Sequence, residues 1–369
     1  MLLTRSGALL LITALCIACL GILSIYSSTL QKEGDFWELT YKRQIFWVLL
    51  GIIFFMLFSN FNYRRFWDAT YFLYAATLIL LLLVVALGAV RLGAQRWLKV
   101  AWFNIQPSEA AKLAIVVFLA RYYSTKPAEA LSLSVARMGI VRSILIPLAF
   151  VIIPVGMIVD QPDLGSGLII FFIFLIMLYL SGVRLSYITG FLLMCLAMLP
   201  LVWHSLRGYQ KDRLLVFLNP NIDPLGAGYT IIQSKIAIGS GGIFGKGWLS
   251  GTQSQLRFLP ESHTDFIFAT FAEEWGLLGA GVLLFLYYLL IKQGLNIAAR
   301  TSDGFGRLLA LGISCMFGIQ IFTNVAMNLG LAPVVGVPLY LMSYGGSSVT
   351  ITFISLGILA NIDKKRSVF

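Results

Sequence analysis

Long apolar runs separated by short polar stretches recur along the whole chain. They fall at about residues 8–28, 44–60, 70–90, 107–122, 143–160, 165–181, 185–203, 265–291, 307–329 and 346–362. Each is close to the ~20 residues a helix needs to cross ~30 Å of hydrocarbon. The runs are continuously apolar, without the alternation of a membrane barrel. The pattern therefore predicts an all-α polytopic membrane protein of about ten transmembrane helices, a single integral membrane domain over residues 1–369. The fourth run is unusual because it holds Glu109 and Lys112.

Composition supports the pattern. Hydrophobic residues make up 59% of the 369 and charged residues 12%, with a mean hydropathy of +0.88. A soluble domain carries roughly 25% charged residues. A soluble globular enzyme, a disordered chain and a collagen-like chain are thereby excluded. The net charge of +11 would suggest nucleic acid on a soluble protein, but the basic residues are not interleaved with aromatics as in nucleic-acid modules.

Their placement gives a different meaning. With the N-terminus inside, the inner segments hold Arg5, Arg64, Arg65, Arg121, Lys126, Arg137, Arg142, Arg184, Lys292, Arg300, Arg307, Lys364, Lys365 and Arg366. Against them stand only Asp68, Glu129, Asp303 and Asp363. The short outer loops hold Lys32, Lys42, Arg43, Arg91, Arg96 and Lys99. Both termini are expected in the cytoplasm, and nearly all the excess charge is a topology signal. The four cysteines, Cys16, Cys19, Cys195 and Cys315, lie in apolar runs and read as packing residues. Ile17-Ala-Cys19 weakly resembles a lipoprotein cleavage site, but the many later spans favour a retained first helix.

One connection is long: residues 204–264, a structured extracytoplasmic loop expected between helices 7 and 8. It contains nine glycines and both histidines, His204 and His263. Residues 229–238 are amphipathic and suit an interfacial helix. Long ordered loops are often functional. Gly239-Ser-Gly-Gly-Ile-Phe-Gly-Lys-Gly247 is not a Walker loop, because Ser240 and Gly247 occupy positions that require Gly and Ser or Thr. It reads as a flexible turn, or as a turn whose backbone and Lys246 meet a lipid phosphate. No cysteine accompanies the two separated histidines, so no zinc site is expected.

Ionisable groups inside spans default to functional candidates. Glu109 and Lys112 lie three residues apart and can meet on one helix face. They read either as a self-neutralising packing pair or as a site in which Lys112 holds an anionic headgroup. Asp160-Gln-Pro-Asp163 is an outer turn in which Asp163 caps the sixth helix or lines the rim of a site. Asp265, at the start of the eighth run, reads as an N-cap or as a carboxylate kept ionised by the helix N-terminus and usable as a general base. Glu273 and Glu274 are deeper acids, one expected to pair with a cation or line the cavity.

The motifs then carry a resemblance. Gly251-Thr-Gln-Ser-Gln-Leu-Arg-Phe-Leu-Pro-Glu-Ser-His-Thr-Asp-Phe-Ile-Phe-Ala269 resembles the signature of the SEDS (shape, elongation, division and sporulation) family. Ala94-Gln-Arg-Trp97, Gln106-Pro-Ser-Glu109, Gln161-Pro-Asp-Leu-Gly165, Asp223-Pro-Leu-Gly226 and Ser343-Tyr-Gly-Gly-Ser347 extend it over nearly the whole chain. Gly251-Thr-Gln-Ser-Gln255 and Pro333-Val-Val-Gly-Val-Pro338 resemble the elongation branch rather than the division branch.

The resemblance implies a bacterial inner-membrane peptidoglycan glycosyltransferase that polymerises lipid II, with its active site facing the periplasm or cell exterior. It also implies a class B penicillin-binding protein, a single-span transpeptidase, as partner, together with other elongation-complex proteins and no nucleic acid. Asp265 matches the family's essential loop aspartate, the expected base for the acceptor sugar hydroxyl. Lys112, Arg213 and Lys246 are the expected cations for the pyrophosphate. Gln161, Asp163, Glu109, His263, Thr264 and Ser343 complete the substrate-binding candidates. No cofactor or metal site is assigned, although a divalent cation (Mg or Mn) between carboxylate and pyrophosphate is compatible with this chemistry. A lipid II flippase and a non-catalytic scaffold of the elongation complex are the competing readings, and a glycan-polymerisation assay discriminates them.

Overall fold

The computed structural model describes residues 3–30, 39–91, 94–100, 103–124, 139–224 and 226–366. Lys32, Lys126, Glu129 and Arg137, used above for orientation, and Leu225 of the Asp223–Gly226 motif lie outside them.

Each apolar run holds a helix. In chain order these are α1 (Arg5–Thr29), α2 (Thr40–Asn60), α3 (Arg64–Leu87), α4 (Pro107–Ser124), α5 (Ile146–Asp160, entered through a π-helical turn at Val141–Leu145), α6 (Leu164–Leu180), and the pair α7 (Leu185–Ala197) and α8 (Leu199–Ser205). The loop region contributes α9 (Gly208–Leu218), α10 (Ala227–Gly241) and the single turn α11 (Thr252–Gln255). The last three are α12 (Ile267–Arg300), α13 (Gly304–Asn328) and α14 (Gly346–Arg366). Among the described residues, seven helices are long and apolar enough to cross a membrane, or eight if the α7–α8 pair, bent by 47°, counts as one span. The 17-residue α6 is apolar but shorter, and α4 carries Glu109, Lys112 and Arg121.

The sequence pattern misplaced three features. The seventh run is broken at Met198 rather than straight. The eighth helix continues to Arg300, past the polar residues Lys292 and Gln293 that end the apolar run. A three-stranded antiparallel sheet, β1 (Ala89–Arg91), β2 (Ala94–Val100) and β3 (Phe103–Ile105), stands between α3 and α4. The Gln95 side chain donates to Gly88 O at 2.9 Å, tying β2 to the end of α3.

The centre of the bundle is α4. Residues on all its sides are buried, including Glu109 and Lys112, as expected of a helix surrounded by others. α13 and α14 pack beside it, and α14 lies along α2. At one end of the bundle, Thr4 donates to Asp363 Oδ2, the Asn361 amide donates to Ser59 O at 2.8 Å, and Tyr63 donates to Asp303 Oδ2. At the other end, Gln106 N donates to Ser347 Oγ, which donates to Asn104 O. The starts of α4 and α14 are thereby joined beside the sheet.

α12 is interrupted. Gly276 has φ +63 and ψ −164, a conformation essentially restricted to glycine. The glycine-rich turn at 241–247 fills the break. Lys246 N and Gly247 N donate to Glu273 O and Glu274 O, both at 3.0 Å, while Leu277 N and Leu278 N donate to Gly242 O and Ile243 O. Backbone groups freed by the kink are thus satisfied by the loop. The segment singled out as a flexible or phosphate-binding turn is a splint for a broken helix.

Candidate functional site

The polar cluster gathers at the bundle end that carries the sheet. The turn before α12 brings Asp265 there. Thr264 N and Phe266 N both donate to Glu261 O, and Glu261 has φ +48. This tight turn follows Pro260 and ends in an N-cap, Phe266, that offers no side-chain acceptor. Asp265 is therefore not the cap that its position suggested. Its carboxylate makes no hydrogen bond among the described residues and is partly buried. Across from it lies Gly336, with φ +68, where a Cβ would stand 3.3 Å from Asp265 Oδ2. Glycine keeps this space open.

Burial pushes the Asp265 pKa up to about 7, and Glu261 and Asp163 push in the same direction; Arg96 and Arg213 oppose them. The expected ionisation by the helix N-terminus is therefore outweighed by loss of hydration. Arg213, half-buried on α9, responds to the same surroundings. Burial and then Arg96 lower its pKa from the usual guanidinium value, against Tyr209, Asp265 and Asp163.

Arg96 entered above as an outer-loop charge and as part of the Ala94–Trp97 motif, without a role at the site. Its guanidinium donates to the carbonyls of Gln161, at 3.3 Å, and Pro162. The strand β2 thus holds the turn between α5 and α6. Asp163 is the cap of α6, its Oδ1 accepting from Ser166 N at 3.1 Å, while Oδ2 accepts from Ser108 Oγ at 3.1 Å and Gln106 Nε2 at 3.2 Å. Gln161 donates to Leu81 O at 2.9 Å. Ser343 Oγ is engaged with backbone, donating to Thr264 O at 2.6 Å and accepting from Leu339 N. Thr264 Oγ1 donates to Glu261 Oε2, and His263 O accepts from Tyr344 N.

Of the three cations put forward, Arg213 is the one brought into electrostatic range of Asp265. Lys112 is fully buried in α4, 2.7 Å from Glu109 Oε1; it also donates to Gln320 Oε1 and lies 5.3 Å from the Tyr340 ring centroid. Lys246 pairs with Glu273 at 2.7 Å across the splinted break and donates to Thr252 Oγ1. Glu274 accepts instead from Ser27 Oγ of α1. Among the described residues, no group of three or more His, Cys, Asp or Glu could hold a metal ion.

Two further residues escaped the sequence reading. Asn324 and Asn328 of α13 both donate to Asp265 O, at 2.9 and 3.0 Å. With Gln320 they form an i, i+4, i+8 polar stripe in an apolar run, a signal that marks a buried polar face.

A family model described as cell cycle protein, covering FtsW, RodA and SpoVE, matches residues 7–368. The chain is 41% identical over 360 residues to peptidoglycan glycosyltransferase MrdB of Escherichia coli K12, covering 97% of this chain and 94% of that protein. It is 33% identical to peptidoglycan glycosyltransferase RodA of Treponema pallidum, covering 97% of each. Among solved structures it superposes with TM-score 0.81 at 30% identity, covering 97% of each chain, on a chain of a peptidoglycan synthase complex described for coordinated polymerization and crosslinking. RodA of Thermus thermophilus follows with TM-score 0.70 at 28% identity, covering 97% of this chain and 96% of the other.

Proposed function

We propose, for a chain that belongs to the FtsW/RodA/SpoVE (SEDS) family, that Asp265 is the general base of glycan polymerisation from lipid II. The chain is a peptidoglycan glycosyltransferase of the elongation type. In the proposed step an acceptor sugar hydroxyl attacks the anomeric carbon of a lipid-linked donor. The new glycosidic C–O bond forms as the bond to the pyrophosphate breaks, the lipid pyrophosphate leaves with the electron pair, and the hydroxyl proton passes to Asp265.

The observation that carries this reading is the placement of Asp265. It is a carboxyl without a hydrogen-bond partner among the described residues, raised to about 7 and lying in the field of two arginines. A base with a pKa near the working pH combines a large deprotonated fraction with good proton affinity. Arg96 and Arg213 meet the charge that develops on the pyrophosphate, as fixed cations aimed at a leaving group should. Lys112 and Lys246 enter the proposal as paired cations that hold the scaffold.

The ten helical segments cross the bilayer in this reading. Both termini are cytoplasmic, and the Asp265 end faces the periplasm or cell exterior, where residues 204–264 cover it. The partner is a single-span transpeptidase of the class B penicillin-binding type. Purified chain, with that partner and lipid II, is expected to yield glycan strands. Translocation of lipid II across proteoliposomes without strand formation would contradict the proposal and favour a flippase.

A further inference from the structure

We infer that Asn328 caps α12 in place of Asp265, and that Asn324 and Asn328 are positioning residues that leave the Asp265 carboxylate unbonded beside Gly336. The inference rests on Asp265 being the base. It starts from the helix end: the side chain of a residue just before a helix normally accepts from the third helical N–H. Here Phe266 has no side-chain acceptor, and Ala269 N donates to Phe266 O at 3.1 Å and to Asn328 Oδ1, from the neighbouring helix, at 3.2 Å. Without it, the carboxylate of Asp265 is the acidic acceptor nearest in sequence, and an N-terminal amide attracts a carboxylate strongly.

The amide nitrogens complete the arrangement. Asp265 O receives both of them. Asn324 also donates to Val337 O at 2.8 Å, the carbonyl next to Gly336. One amide thus sets the Asp265 backbone against the loop that flanks its carboxylate. Asn328 is held in turn by Asn324 O at 2.9 Å, and its own carbonyl accepts from Ser234 Oγ of α10 at 2.7 Å. Both asparagines are fully buried. Buried amides are costly unless bonded, and packing alone is served as well by apolar side chains. Fixing Asp265 is what these two do that leucine cannot.

The test uses the full chain with its transpeptidase partner and lipid II, and reads kcat, KM and the acid limb of the pH–rate profile. The charged groups facing Asp265 are Arg96 on β2, Arg213 on α9, Asp163 before α6 and Glu261 on its own turn. All are retained in the variants. Asn328→Ala leaves the Ala269 N–H with Phe266 O alone, and the Asp265 carboxylate turns back toward the open amides of its own helix. Expected are a kcat at least about tenfold lower, KM within about twofold, and an acid limb about one unit lower, because the new bond favours the anion. Asn324→Ala, which keeps the cap, lowers kcat and leaves the limb in place.

An unmoved limb in Asn328→Ala overturns the inference. If that variant does not fold, wild-type kcat in Asn324→Ala overturns it. Asp265→Asn is assayed in parallel. Activity there removes the base assignment itself, whereas its inactivity together with an unmoved Asn328→Ala limb removes only the positioning role.

Discussion

Lys112 Nζ and Glu109 Oε1 lie 2.7 Å apart, both side chains wholly shielded, at the centre of the most enclosed helix in the bundle. Such a pair is neutral as a unit and costly when broken, because the survivor is a buried, unpaired charge. Lys112→Ala is expected to destabilise the protein by about 3–5 kcal/mol. Lys112→Met with Glu109→Met should recover most of that loss. Thermal unfolding in detergent of the single and double variants measures both. Equal stability of Lys112→Ala and wild type would show that the pair does not hold α4. Weakened lipid II use by the double variant at normal stability would instead assign Lys112 to the headgroup.

The kink of α12 depends on a backbone that only glycine adopts. A Cβ on Gly276 would stand 2.3 Å from Gly245 N, inside the splint. Gly276→Ala combines that clash with a strained conformation costing about 1–3 kcal/mol by itself. The variant should show a clearly lower melting temperature and faster proteolysis within residues 241–251. A variant as resistant as wild type would mean that the break is not needed.

Arg96 and Arg213 should respond differently to lysine. Arg96 directs its planar fork at two carbonyls of one turn, a geometry that an ammonium does not reproduce. Arg213 acts through charge on its neighbours. Arg213→Lys is expected to retain most polymerisation and Arg213→Ala to lose it about tenfold or more. Arg96→Lys should behave like Arg96→Ala. Initial rates with lipid II for the four variants decide this.

The raised pKa of Asp265 also makes a stability prediction. Folded Asp265 holds its proton up to about pH 7, whereas in the unfolded chain it loses it near 3.9. Between those values the folded state binds more protons than the unfolded one, so stability attributable to this group falls as pH rises. Asp265→Asn cannot ionise and escapes that fall. Its melting temperature should match wild type near pH 4 and exceed it increasingly up to pH 8. A constant difference across that range would show that Asp265 does not titrate in this window.

Much of this was legible in the sequence because membrane helices announce themselves by length and apolarity. The described helices fall on the apolar runs, seven of them long and apolar enough to cross a membrane, or eight with the bent pair as one span. The rest was hidden for physical reasons. β2 is seven residues of mixed polarity with no continuous apolar run, so Arg96 stood out as a charge and a motif residue but not as a strand residue. The splint joins residues about thirty apart through backbone groups, which leave no periodic trace. Asp265 looked like a cap because the residue that displaces it, Asn328, is far away in sequence. The 320, 324, 328 stripe was visible, but its target was not.

The central claim is that Asp265 takes the proton from the attacking sugar hydroxyl. Its most direct measurement is the initial rate of glycan-strand formation by Asp265→Asn, purified with its transpeptidase partner and supplied with lipid II. Normal membrane insertion and partner binding are expected, with polymerisation reduced by about 10²-fold or more, in line with loss of a general base. Glycan strands made at the wild-type rate would contradict it.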